Sequence, residues 1–238
     1  MASETQDKFL LHHLNYSRSS RIIWILEELK LNYEIKYYKR TKEFLAPKEL
    51  RDVFPTGTAP ILQVFKAGRE EPITLAESGH IIQYLIQHYD PEGKLSGETE
   101  DEKELIDYYL HFAEGSLQPH LVSMLIGKVA VSKTPWPLQL LTKTITGKMN
   151  DSYYFKRLST NLRLLDDRLA KKGGGYFVGN KLTAADIILD FPINENIFGS
   201  DTRLEGVDFK TEYPNLYKWH QLTTKEPLHV TAVEKSKL

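Results

Sequence analysis

The pattern of apolar and polar positions changes period near residue 90. Before that point, strand-like and helix-like segments alternate. "KFLLHHL" reads as a strand, and "SSRIIWILEELK" as a helix whose apolar residues cover most of its circumference. Such a helix is expected to be buried on more than one side. In "YEIKYY", alternation places Tyr33, Ile35 and Tyr37 on one face of a second strand. A βαβ unit this compact predicts a parallel pair with a right-handed crossover. "PILQVF" and "ITL" flank the charged loop "AGREEP" and predict a β-hairpin. "ESGHIIQYLIQHY" then puts Ile81, Ile82, Leu85, Ile86 and Tyr89 on one helical face. The order βαβ followed by ββα describes a small α/β sandwich over residues 1–91.

"DPEGKLSGET" interrupts both periods with proline and glycine and reads as an interdomain linker. Beyond it, residues 92–238 show no convincing strand and are expected to form an all-α domain. Leu158, Leu162, Leu165 and Leu169 make a helical stripe, which "KKGGG" ends with cations and flexible residues. Pro119 and Pro137 are expected to bend or separate the earlier helices. In "LTAADI", Thr183 and Asp186 can satisfy each other's backbone amides in a variant of the capping box, with Leu182 and Ile187 as a hydrophobic staple. That motif is structural.

Composition narrows the function. Across 238 residues the formal net charge is −1, so no broad basic face is available for a phosphate backbone and nucleic-acid binding is not expected. No apolar run approaches the roughly 18–20 residues of a membrane span, and "MASETQDKF" lacks the pattern of a secretory signal. "NYS" and "NDS" are read as accidental matches to the glycosylation pattern. There is no cysteine. Any thiol chemistry must therefore use a sulfur brought in by a ligand. His12 and His13, adjacent on a strand, point to opposite faces, and no metal site, phosphate loop or dinucleotide fingerprint is expected.

Three short motifs carry the chemistry. In "FPTGTAPIL", Gly57 permits a tight turn and Pro60 opens a strand. The plain reading is a proline-containing loop; the sharper one has Pro60 in the cis form, presenting the Ala59 backbone to an extended peptide. In "AESGH", Glu77 and Ser78 open a helix, where they act as ordinary caps or hold an amino-acid zwitterion. In the second case the Ser78 hydroxyl and helix N-terminus would take the carboxylate and Glu77 the ammonium. "NYSRSSR" packs three serine hydroxyls and two guanidinium groups between the first strand and first helix.

"SRSSR", "TAP", "AESGHIIQYL", "YYLHFAEGSLQP" and "FVGNKLTAADI", in this order over nearly the full chain, resemble the glutathione S-transferase family, particularly its yeast and fungal branch. The resemblance implies a thioredoxin-like domain followed by an all-helical domain, a homodimer, and glutathione as co-substrate with no metal. It implies that Ala59, between Thr58 and Pro60, pairs with the cysteinyl backbone, and that Glu77 and Ser78 hold the γ-glutamyl head. Lys39, Arg40 and Lys42 are candidates for the glycyl carboxylate, with Arg40 preferred. Thr58 replaces the Lys or Gln often found there. Serine-type members place the functional hydroxyl four residues before an arginine of the first helix, the relation of Ser17 to Arg21. Ser17 would donate a hydrogen bond to sulfur, with Tyr16 and Asn15 as alternatives, leaving Ser19 and Ser20 as caps or first-turn residues and Arg21 as an organiser of the domain junction. A free thiol with a pKa near 8.5 is only about 3% ionised at pH 7. A hydroxyl and a helix N-terminus could lower that pKa by roughly 1–2 units. The electrophile is expected between the domains, against Tyr109, Phe112 and Glu114, with Tyr108 and Trp136 as further candidates.

The implied activity is conjugation of glutathione to electrophiles in detoxification, with peroxidase action on organic hydroperoxides as a second activity. A non-catalytic glutathione-binding module and a glutathione-dependent isomerase or lyase are the alternatives. The chain closes on Ser236-Lys237-Leu238, the tripeptide address read by the peroxisomal import receptor. A peroxisomal location with a cytoplasmic pool is the resulting expectation.

Overall fold

The computed structural model describes residues 7–199, 204 and 206–237. Four strands make one mixed sheet in the order β2-β1-β3-β4: β1 (Lys8–Leu14), β2 (Tyr33–Tyr38), β3 (Ile61–Phe65) and β4 (Ile73–Ala76). β1 is central. It runs parallel to β2, with Leu11 opposite Ile35, and antiparallel to β3, with Leu11 opposite Leu62. β3 and β4 form the expected hairpin.

Helix α1 (Ser20–Glu28) packs against the sheet, α3 and two helices of the second half, so it is buried on almost every side. This explains why its sequence is apolar nearly all round. α3 (Ser78–Tyr89) turns Ile81, Ile82 and Leu85 into the same core. A short helix not evident in the sequence, α2 (Glu49–Val53), covers part of the other sheet face through Leu50, which clusters with Leu14, Tyr38 and Ile61. That cover reverses the expected burial at the end of β2. Tyr37 is exposed and Tyr38 is buried.

The second half is helical: α4 (Glu100–Phe112), α5 (Gln118–Lys133), α6 (Gln139–Met149), α7 (Phe155–Lys172), α8 (Ala184–Asp190), α9 (Phe209–Glu212), α10 (Pro214–Thr223) and α11 (Pro227–Lys235). The leucine stripe of α7 is fully buried, and Gly173, at φ 87°, closes the helix in a left-handed conformation. Pro119 lies at the start of α5, after a π-helical turn at Ala113–Leu117. Pro137 lies between α5 and α6 in a cis Trp136–Pro137 bond. Two more π-helical turns, Asn150–Tyr154 and Phe191–Glu195, have no signature in the apolar pattern. The Thr183–Asp186 pair forms as expected: the Thr183 amide and hydroxyl both donate to Asp186 Oδ2 at 3.0 Å.

Candidate active site

The loop between β1 and α1 is held from both sides. On the β2 side, Arg40 donates from Nε to the Asn15 carbonyl at 3.1 Å and from its terminal nitrogens to the Tyr16 and Phe44 carbonyls, both at 3.0 Å. Its backbone amide donates to Asn15 Oδ1 at 2.8 Å. These bonds hold Tyr16 at φ 53°, a left-handed conformation that a non-glycine residue adopts only when its surroundings enforce it. Arg40, expected to face a ligand carboxylate, aims the planar fork of its guanidinium at main-chain oxygens and organises this loop. Asn15 spends its side-chain oxygen on the same clamp, while Tyr16 projects into solvent.

On the α1 side, Arg21 is completely buried and donates to the Ile188 carbonyl at 2.6 Å and to Glu114. Arg18 is the second partner of Glu114. Glu114, expected at the electrophile site, thus joins two cations of the first domain to the π-helical turn after α4. Glu114 is a junction residue. Tyr109 and Phe112, expected to line the electrophile site, lie instead in the helical core. Tyr109 is 1% exposed, with its ring 5.1 Å from Phe177 and its hydroxyl accepting from Arg168, and Phe112 stacks on Tyr108. Trp136 is at the other extreme, 87% exposed on the α5–α6 connection. Tyr16, Phe44 and Leu45 are exposed apolar side chains of this region, with the Tyr16 and Phe44 carbonyls both held by Arg40 and Leu45 joined to Thr41 by a backbone bond.

Between the two clamps lies Ser17, 8% exposed. Its Oγ is 2.6 Å from Ser19 Oγ and accepts the Ser19 amide at 3.3 Å. Ser19 occupies the cap position of α1, yet its hydroxyl caps nothing and lies 2.8 Å from His13 Nδ1. The Nε2 of His13 lies 3.0 Å from the Ser236 carbonyl oxygen. Burial pulls the His13 pKa below its usual value, and the Ser236 carbonyl partly offsets this. Ser20 donates to Glu195 at 2.9 Å, so neither of these serines is a cap. Burial, reinforced by Asp190, raises the Glu195 carboxyl to about 7 against the bonding of Ser20 and the charge of Arg21. Behind it, His229 Nε2 bonds to Asp190 Oδ1 at 2.9 Å. Burial alone would depress the His229 ring, but Asp190 holds its pKa raised.

The third component is the turn into α3. The Ala59–Pro60 bond is cis, Pro60 is buried, and Thr58 is exposed with its hydroxyl 3.0 Å from that of Thr56. Glu77 is exposed at φ 66°, and Ser78 is 2% exposed with an Oγ that has no hydrogen-bond partner among the described residues. A buried hydroxyl without a partner is costly unless something else satisfies it. At the first turn of a twelve-residue helix, a carboxylate would do so. The residues therefore fit the amino-acid head of a peptide. At the chain end, Ser236 is half-buried and Lys237 exposed, while Leu238 lies outside the described residues. Among the described residues no cluster of metal-ligating side chains occurs and no helix is long and apolar enough to cross a membrane.

The sequence pattern did not reveal His13, Ser19 or Glu195 as parts of this region. The adjacent histidines of β1 were the available signal. His12 bonds to Tyr38 and Gln63 on one sheet face, so His13 necessarily faces α1 on the other.

Comparison with known proteins agrees with this architecture. Residues 17–88 match the profile of the glutathione S-transferase N-terminal domain and residues 138–232 that of its C-terminal domain. Glutathione S-transferase 1 of Saccharomyces cerevisiae is 34% identical over 95% of this chain and 94% of its own length. Glutathione S-transferase 3 of Schizosaccharomyces pombe is 32% identical over 95% of this chain and 87% of its own. Among solved structures, a glutathione transferase homologue from Lodderomyces elongisporus, crystallised with two glutathione molecules per subunit, superposes with a TM-score of 0.72 at 22% identity, covering 95% of this chain and 98% of that one. A thioredoxin-like sheet domain, a helical partner and relatives this similar along nearly the whole length place the chain in the glutathione S-transferase family.

Proposed function

We propose that this chain is a glutathione transferase that binds glutathione across the Ala59–Pro60 turn and the start of α3 and presents its sulfur to the Ser17 hydroxyl. The observation that carries this reading is the buried, unpartnered Ser78 hydroxyl beside exposed Glu77. A buried donor of this kind suits a γ-glutamyl carboxylate, with Glu77 taking the ammonium. The glutathione held by the Lodderomyces relative supports the same ligand. Lys39 and Lys42, both exposed, are the cations left for the glycyl carboxylate once Arg40 is engaged. The thiolate then attacks an electrophile lodged against Tyr16, Phe44 and Leu45. Conjugation is the main activity in this proposal, with reduction of organic hydroperoxides as a second.

Calorimetry with reduced glutathione tests binding. Ultraviolet titration of the bound thiol tests Ser17: Ser17→Ala is expected to raise its pKa by about 1–2 units. An unchanged value removes Ser17 from the sulfur. A turnover panel of a chlorinated aromatic, a hydroperoxide and an isomerisable diketone separates conjugation, reduction and isomerisation. Binding without turnover on any of them would mark a non-catalytic member.

We infer also that the chain works as a homodimer. Leu138, Leu141, Ile145 and Met149 form an exposed apolar stripe along α6, the kind of surface a second copy would cover. Light scattering tests this. The Ser236-Lys237-Leu238 tripeptide supports import into peroxisomes. Deleting it is expected to leave a fluorescently tagged chain in the cytoplasm; unchanged organelle distribution would exclude the address.

A further inference from the structure

The donors and acceptors of the Ser17 chain can be assigned one by one. A carbonyl oxygen only accepts, so His13 Nε2 carries a proton and donates it to Ser236 at 3.0 Å. In the neutral ring Nδ1 is then an acceptor, and Ser19 Oγ must donate to it at 2.8 Å. Ser19 has one proton, now spent. In the 2.6 Å contact between the hydroxyls Ser17 must therefore donate to Ser19. With His13 neutral, the single proton of Ser17 points inward, and only a lone pair is left for a ligand's sulfur. A Ser17 in this state accepts a proton from a thiol but cannot stabilise a thiolate.

With a proton on Nδ1 every direction reverses. The imidazolium donates to Ser19, Ser19 donates to Ser17, and Ser17 donates outward. We propose that His13 is the proton acceptor for the glutathione thiol, reached through Ser17 and Ser19, and that the Ser236 carbonyl fixes the tautomer this requires. The S–H bond breaks as its proton passes to Ser17 Oγ. The former Ser17 proton passes to Ser19 Oγ, and the former Ser19 proton forms the new Nδ1–H bond. Sulfur keeps the electron pair, so one thiol and one neutral imidazole become a thiolate and an imidazolium with no change of oxidation state. The same transfer turns the Ser17 proton toward the anion it has just created.

The surroundings suit this role. His13 is 2% exposed, so the proton is not shared with bulk water. Burial holds the ring's pKa below its usual value, so the resting ring is neutral with Nδ1 unprotonated, and the thiolate formed by the transfer is the charge that offsets the imidazolium. The titratable groups around it are few. From β2, Tyr37 meets the ring edge-on at 5.7 Å. From α11, Lys235 is neutralised by Glu27 of α1 at 2.5 Å and bonds to Tyr33 at 3.2 Å. On β1 itself, His12 is turned to the opposite face.

The inference rests on the glutathione reading above, and its test keeps the two separate. In the full chain, Ser19→Ala breaks the relay and leaves both Ser17 and His13 in place. It is expected to raise the bound-thiol pKa by about one unit, so that about tenfold less thiolate is present below that pKa. Ser19→Thr, which keeps the hydroxyl, is expected to restore the wild-type value. In the unaltered protein, nuclear magnetic resonance of the His13 ring is expected to show its titration midpoint moving upward when glutathione binds, and staying put with S-methylglutathione, which has no thiol proton. An unmoved His13 midpoint with glutathione bound overturns the relay, as does an unchanged thiol pKa in Ser19→Ala. If Ser17→Ala still raises the thiol pKa in that event, Ser17 acts alone. If glutathione does not bind at all, the failure belongs to the parent reading.

Discussion

Two buried polar clusters, one around Asp186 and one around His13, are both built from side chains bonded to side chains and main chain, and they end differently. Asp186, fully buried at the start of α8, accepts from the Phe177 amide, the Thr183 amide, the Thr183 hydroxyl and Trp219 Nε1, all at 2.9–3.0 Å. Its acceptor sites are filled and every donor aimed at it is paired. The His13–Ser19–Ser17 chain is anchored at one end on a main-chain carbonyl and at the other stops at a hydroxyl with capacity left over. Ser78 takes this to its limit, with no partner at all. Closure distinguishes scaffold from site. A saturated network only holds parts together, whereas an open-ended one is finished by a ligand.

The sharpest way to break that contrast is to remove Asp186. Asp186→Ala leaves two backbone amides, a hydroxyl and an indole N–H unpaired in the core, each costing about 1–3 kcal/mol unless the structure relaxes. With relaxation, a loss of about 3–4 kcal/mol in unfolding free energy is expected in urea titrations. The bound-thiol pKa, by contrast, should match that of the unaltered protein wherever the variant is folded. A thiol shift as large as that of Ser17→Ala would show that the two clusters are coupled and that the division into scaffold and site is false.

The same contrast explains what could be read in advance. The element order, the βαβ unit, the β-hairpin and the α7 stripe follow from local periodicity, and the Thr183–Asp186 box is a four-residue motif, so each was legible, whereas the pairing of β1 with β3 was not. Ser17, Ser78 and the Ala59–Pro60 turn were legible as motif residues because their spacing is local. What escaped notice joins residues far apart in sequence. His13 meets Ser236, Ser20 meets Glu195, and Arg21 meets Glu114 and Ile188. None of these pairings has a periodicity. Tyr109 and Phe112 looked like pocket residues for the same reason: an aromatic on a helix face shows no sign in sequence of which neighbour will cover it. For Arg40 the sequence showed only a cation after a strand, with no sign of the Asn15, Tyr16 and Phe44 carbonyls that its guanidinium meets.

Glu195 stands between the two clusters and sharpens the comparison through pH. Its carboxyl titrates near 7 in the folded chain against 4.5 in the unfolded one, because burial penalises the charged form. The folded state therefore holds the proton more tightly. Its contribution to stability is fully present below about 4.5 and is lost as pH rises through about 7. The swing is at most about 3 kcal/mol. Glu195→Gln is expected to reduce the fall in unfolding free energy between pH 5 and pH 8 by an amount up to that bound; His229, with a raised pKa, adds to the fall, whereas His12, His13, His120 and His220, whose pKa values burial lowers, oppose it. An unaltered slope would place the proton elsewhere in the junction.

The smallest effect is the most diagnostic, because its two readouts separate. Ser78→Ala removes a hydroxyl that is 2% exposed and has no hydrogen-bond partner among the described residues. No hydrogen bond is lost on truncation, and the desolvation cost of burying the oxygen disappears. Unfolding free energy should stay level or rise by up to about 1 kcal/mol. Glutathione loses a donor to a charged carboxylate, worth about 1.5 kcal/mol, so its affinity should fall roughly tenfold. A residue serving only the scaffold would lower stability when truncated and leave binding alone. If calorimetry finds affinity unchanged while stability drops, Ser78 belongs with Asp186, and the head of the tripeptide must be held by other groups.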